Sequence, residues 1–352
     1  MIRAFIERRS DPGTDHAPAP PGDGRQAASA RLLLAVIRLG PTLLLAILAV
    51  VFTVASPYFL TSGNLQNLGA QSSIVMALAL GQLIVVLIRG IDISVGSVIG
   101  FSVVFAAVVG GTGNGWQFLL LALLGGALIG TINGAVIVWG RLPQPFIVTL
   151  ATLGAAAGAA QLLTDGTAVV GLPDLITTIG GGELGPVPTP VLLVGVLGLL
   201  LWYVTTRTQW GRWLYALGGN PEGATRMGLP VGRITMAAFV ISGVTAACAG
   251  IIAAGRTNTA TPLAGTGAEL DSIIAVVIGG ASLFGGRGTV VNVLVGALIL
   301  GTIRNGLDLL GVSPYMQQVA VGVIVLAALE LDVIRRRLEE RVKRLTALEV
   351  ER

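Results

Sequence analysis

Apolar residues fall along this chain in about ten runs, parted by short polar or glycine-rich turns. The runs cover residues 32–55, 68–88, 93–110, 116–139, 146–163, 187–206, 234–255, 270–284, 289–310 and 315–334. Most approach the 20 or so residues that a helix needs to cross a bilayer. The eighth is short and rich in glycine, so it is expected to be broken or buried inside the bundle. The pattern predicts an all-α integral membrane protein with about ten transmembrane helices. It also sets the domain plan: a disordered tail over 1–30, a transmembrane domain over 31–334, and a charged tail over 335–352. The first 30 residues are rich in Pro, Gly, Ala and charge and lack an apolar core, which argues against a cleaved signal peptide.

Charge fixes the expected orientation. With the N-terminus inside and spans alternating, the 22 Lys and Arg side chains all fall on the inner side except Arg256 and Arg304. A miscounted span would swap the downstream loops and destroy that split. Both termini are therefore expected in the cytosol, as is the long loop that carries Arg207, Arg212, Arg226 and Arg233. The two exceptions have competing readings. Arg256 pairs with Glu269 or Asp271, or it faces an incoming partner protein; Arg304 is expected to pair with Asp308, four residues on.

Composition agrees with a lipid setting. The chain is 53% hydrophobic and 11% charged, against about 25% charged in soluble domains. Its 50 glycines suit helices that approach closely, and Trp116, Trp139, Trp202, Trp210 and Trp213 lie near the ends of apolar runs, as in an interfacial belt. The one cysteine, Cys248, sits in an apolar run, and the one histidine, His16, in the N-terminal tail. Neither a metal cluster nor a cofactor site is expected. The only lysine is Lys343 in the tail, so no Walker A loop exists, and no serine triad can form with that histidine. No catalytic residue is expected. A net charge of +4, set beside apolar runs, does not point to nucleic acid.

Two polar stretches stand out. Residues 217–233 read LGGNPEGATRMGLPVGR. Asn220 is a good N-cap, Pro221 suits the first helical position, and Glu222 suits the positive end of the helix. Glu222 and Arg226 have pairing spacing, Gly228 supplies a stop and Pro230 prevents continuation. A helix of roughly two turns cannot cross a bilayer, so it is either an ordinary loop helix or a surface offered to a partner. The second stretch, residues 90–97, reads GIDISVGS and interrupts apolar sequence. Asp92 and Ser94 either line a water-filled path or cap the third helix, with Asp92 as its N-cap.

These stretches resemble the permease subunits of ATP-binding-cassette importers, most closely the monosaccharide (ribose/xylose-type) branch of the branched-chain amino acid/sugar permease superfamily. Gly218, Gly219, Asn220, Pro221, Glu222, Ala224 and Gly228 match its cytoplasmic coupling loop Gly-Gly-Asn-Pro-Glu-Ala-Ala…Gly, with Gly223 in place of an alanine. Residues 89–97 resemble its Gly-Gly-Ile-Asp-Leu-Ser-Val-Gly-Ser signature, with Arg89 in place of the first glycine. Residues 133–154 and 265–288 are similar to two further blocks, Ala268 replacing a tyrosine and Ala281 a threonine. The likeness covers roughly residues 60–332.

The resemblance implies a bacterial cytoplasmic-membrane protein, multi-pass, with a second permease chain, an ATPase below and an extracytoplasmic sugar-binding protein above. It implies ATPase contact through Gly219, Asn220, Pro221, Glu222, Ala224, Arg226 and Gly228. Expected residues of the translocation path are Asp92, Ser94, Asn133, Thr149, Thr152 and Asn258, and Arg256 is the candidate for binding-protein docking. The competing functions are an ion-gradient-driven carrier, or an importer permease for another small solute such as a branched-chain amino acid. A carrier is expected to hold ionisable groups deep in its helices.

Overall fold

The computed structural model describes residues 24–142, 144–324, 326 and 330, with side chains from residue 40. Its helices are α1 (Gly24–Ala55), α2 (Ser62–Leu87), α3 (Val95–Gly110), α4 (Gly115–Trp139), α5 (Pro145–Thr164), α6 (Asp174–Gly181), α7 (Thr189–Arg207), α8 (Gln209–Gly219), α9 (Pro221–Arg226), α10 (Val231–Thr257), α11 (Ala268–Ile278) and α12 (Val290–Leu309). Residues 314–324 are also helical. Four short strands complete the set: β1 (Val169–Val170), β2 (Glu183–Leu184), β3 (Val187–Pro188) and β4 (Thr259–Ala260).

Six helices, α2, α4, α5, α7, α10 and α12, are long and apolar enough to cross a membrane, while Gly40–Ala55 and α3 are shorter apolar helices. Eight of the ten apolar runs of the sequence coincide with one of these helices; the eighth run overlaps only the 11-residue α11, and among the described residues six helices, rather than about ten, have the length and apolarity of a span. Helix starts follow local chemistry. The Asn114 side chain accepts from Trp116 N and Gln117 N at the head of α4, and Thr289 accepts from Asn292 N at the head of α12. Residues 24–30 of the expected N-terminal tail belong to α1. The rest of that tail, and the C-terminal tail over 335–352, lie outside the described residues.

α10 forms the centre of the bundle, packed against α2, α3, α4 and α6. Its seam with α4 depends on Gly126 and Gly243, because a side chain on either would strike the carbonyl oxygen of the other. α5 and α7 turn much of their surface outward, exposing Ile147, Leu150, Val196, Leu199 and Leu200. Faces of that size and polarity belong in hydrocarbon rather than water. Irregular backbone is kept inside: residues 92–94 are buried ahead of α3, and Pro262 and Gly265 are buried alongside it, close to Gly100 and Gly96. Non-helical backbone at membrane depth survives only where protein surrounds it.

At the end of the bundle where α2 begins, β1 pairs antiparallel with β4, Val169 opposite Ala260 and Val170 opposite Thr259, and β2 and β3 form a hairpin. The expected pairing of Arg304 with Asp308 does not form. Arg304 instead reaches from α12 to α11, where Nη1 and Nη2 donate to Asp271 Oδ2 and Oδ1 at 2.6 and 2.7 Å. Asp308 accepts from Gln317 Nε2 at 2.6 Å. A forked, two-bond geometry across the packed α11–α12 seam outcompetes a single contact along one helix.

Candidate functional site

The short helix α9 is built as its residues dictate. The Asn220 side chain accepts from Gly223 N at 3.0 Å, and Pro221 occupies the first position. The helix ends in a left-handed glycine: Gly228 has φ +74°, its N–H donates to Thr225 O at 3.0 Å, and Leu229 N donates to Ala224 O at 3.1 Å. These two bonds satisfy carbonyls that the helix end would otherwise leave unpaired. Ala224 is buried and anchors the helix to the bundle, while Glu222, Thr225, Arg226 and Met227 are exposed. The anchoring is thus on one face and the polar display on the other.

α8 fixes that helix to two turns of the bundle. Tyr215 donates from its hydroxyl to Gly288 O at 2.8 Å. Burial pushes the Tyr215 hydroxyl still higher than its ordinary pKa, which already leaves it a donor at neutral pH. Arg89 donates to Gly218 O and Gly219 O, and Gly286 N donates to Leu87 O at 2.9 Å.

Deeper in the same end lies a buried polar network. Asp92 is 1% exposed. Its Oδ1 accepts from Ser94 N at 3.0 Å and Ser94 Oγ at 2.6 Å, and its Oδ2 accepts from Ser242 Oγ at 2.8 Å. Gln82, with its amide oriented to satisfy both groups, donates to Asp92 O at 2.9 Å and accepts from Asp92 N at 3.2 Å. Asn133 Nδ2 donates to Ser94 Oγ at 2.9 Å, and Thr152 Oγ1 donates to Asn133 Oδ1 at 2.7 Å. Thr149 Oγ1 donates to Ile91 O at 3.2 Å. One carboxylate therefore sits among hydroxyls and amides from α2, α4, α5 and α10, which offset part of the cost of burying it. No basic side chain among the described residues pairs with it.

The structure brings together Asp92, Ser94, Asn133, Thr149 and Thr152. Asp92 is not the N-cap of α3; that position is Ser94, which Asp92 braces through its backbone N–H. Asn258 stands apart. It adopts a left-handed backbone at the end of α10, and its side chain accepts from Leu172 N at 2.8 Å. Its carbonyl also accepts from Gly171 N at 3.2 Å, so Asn258 braces the segment that leaves β1. Gln82 and Ser242 are members that sequence reasoning missed, although each is a lone polar residue in an apolar stretch, which is a usable signal.

Arg256 makes neither expected ion pair. Asp271 is taken by Arg304, and the nearest partner of Arg256 is Asn67 Oδ1, 3.5 Å from Nη2. It lines a cavity of about 300 Å³ with Gln66, Asn67 and Glu183, at the end of the bundle remote from α9. Among the described residues no group of three His, Cys, Asp or Glu side chains could hold a metal ion.

Residues 64–329 match the family described as branched-chain amino acid transport system / permease component. The chain belongs to this family. As a permease it is a transport component and not an enzyme. It is 43% identical over 295 residues to the ribose import permease protein of Escherichia coli (strain K12), covering 82% of this chain and 91% of that one. The D-allose transport system permease protein of the same strain is 38% identical over 299 residues, with 83% and 90% covered. The ribose import permease protein of Bacillus subtilis (strain 168) is 40% identical over 300 residues, with 84% and 92% covered. No solved structure matches the permease.

Proposed function

We propose that this permease forms the membrane path of an ATP-driven importer for a monosaccharide. The observation that carries the reading is its likeness, over more than four fifths of its length, to permeases named for ribose and D-allose. Under this reading two copies surround one path in a bacterial cytoplasmic membrane, each with about ten spans and both termini cytosolic. An ATPase chain docks on residues 217–233, and a sugar-binding protein delivers the substrate at the opposite end, beside Arg256.

The buried network suits such a cargo. Sugar hydroxyls donate and accept, and so do the hydroxyls and amides of Ser94, Asn133, Thr149 and Thr152. When the helices that carry them part, each lost internal bond has a substrate hydroxyl of matching character to replace it. Asp92 adds a strong acceptor without requiring a cation.

Asp92 also favours a second reading, a carrier driven by protons or sodium, because a carboxylate so deeply placed is expected of an ion-coupled site. The α9 segment has no role in a carrier that works alone. A strain lacking the permease gene tests the first reading. Uptake of labelled pentoses and hexoses at micromolar concentration is expected to fall for one sugar and return with the gene. Unchanged uptake across the panel, with the gene and its partner genes expressed, would refute a monosaccharide cargo.

A further inference from the structure

We infer that Arg89 is the positioning residue that ties the α8–α9 segment to the buried network around Asp92. The inference rests on the reading of an ATP-driven importer, and it assigns the connection between its two moving parts.

Arg89 sits just past the end of α2 with φ +68°, in the left-handed region. That conformation is natural for glycine and costly for a side chain with a Cβ. Arginine persists at this turn with its side chain held at two points. Nε donates to Gly218 O at 2.7 Å and Nη2 to Gly219 O at 2.9 Å. Gly218 and Gly219 are the last residues of α8. Their carbonyls lie at the negative end of that helix, beyond the reach of its own N–H groups. A planar guanidinium is suited to capture both.

The backbone beside Arg89 reinforces the grip. Leu87 O accepts from Gly286 N at 2.9 Å, and Gly218 packs so closely on Leu87 O that a Cβ there would collide with it. The Arg89 stem lies over Gly285. On the far side of the same turn, Thr149 holds Ile91 O, and Gln82, Ser94 and Ser242 hold Asp92. Three residues of chain span at most about 10 Å. A displacement of α8 therefore either breaks two charge-assisted bonds or pulls the 88–94 turn, and Asp92 with it.

The test uses the complete permease–ATPase complex with its binding protein. R89G removes both bonds and relieves the left-handed backbone, so the variant is expected to fold and insert. R89K keeps the charge but not the fork. Two readouts are compared: amide hydrogen exchange over residues 88–95 with and without ATP, and sugar transported per ATP hydrolysed. In R89G the ATP-dependent difference in exchange at residues 90–94 is expected to vanish. Transport per ATP is expected to fall about fivefold or more, the low end for coupling between separate sites. R89K is expected to lie between R89G and the native protein. An R89G complex that keeps both the exchange difference and the native transport ratio would overturn the inference. If the native complex carries no monosaccharide yet shows the exchange difference, and R89G abolishes it, the cargo is misassigned while the Arg89 connection stands.

Discussion

The α11–α12 seam offers a sharp energetic test. Removing the Arg304 guanidinium with R304A strands Asp271, whose side chain is only 13% exposed, whereas D271A strands an arginine that is 37% exposed. Exposed ion pairs contribute about 0–1 kcal/mol, and breaking a buried one costs about 3–5 kcal/mol. With two short bonds and intermediate exposure, R304A is expected to cost about 2–3 kcal/mol, and D271A less. A double-mutant cycle between the two positions should report a coupling of about 1–2 kcal/mol. The control cycle, R304A with D308A, should couple by less than about 0.5 kcal/mol, since Asp308 has Gln317 as its partner. The measurement is the unfolding midpoint of purified permease in mixed micelles of rising denaturing-detergent fraction, at neutral pH. Stronger coupling of Arg304 to Asp308 than to Asp271 would overturn the pairing across the seam and restore the contact along one helix.

Two further outcomes are expected. E222K replaces the acid in the first turn of α9 with a base; the helix loses a favourable dipole interaction of about 0.3–1 kcal/mol, and pull-down of the ATPase subunit should weaken while membrane insertion is retained. G243A places a methyl group against Gly126 O and should lower the unfolding midpoint by about 1–3 kcal/mol equivalent, whereas G154A, which meets nothing within 4 Å, should leave it unchanged.

The features legible in the sequence were those fixed by neighbours along the chain. Asn220, Pro221 and Gly228 define α9 because a cap, a first-turn proline and a left-handed stop each act within a few residues. The apolar runs located the long helices because lipid demands length and apolarity of each one separately. Partners were not legible where packing between distant segments chooses them. Arg304 took Asp271 because α11 folds back against α12, and no spacing rule along one helix contains that fact. Gln82 and Ser242 stand 160 residues apart in sequence and meet at Asp92. Either one, read alone, is a polar residue in an apolar helix that does not name its partner. Asn258 shows the same limit: its place at the end of α10, bonded to Leu172 N and away from Asp92, is set by a segment 86 residues distant in sequence.

Reconstitution measures ATP-driven passage of a monosaccharide directly. Permease, ATPase and sugar-loaded binding protein would be assembled in liposomes with the binding protein and labelled sugar outside and ATP enclosed. Proton and sodium ionophores would be present throughout. Sugar accumulation is expected to require both ATP and the binding protein and to persist with the ionophores. Accumulation without ATP, driven by an imposed ion gradient and abolished by the ionophores, would contradict it.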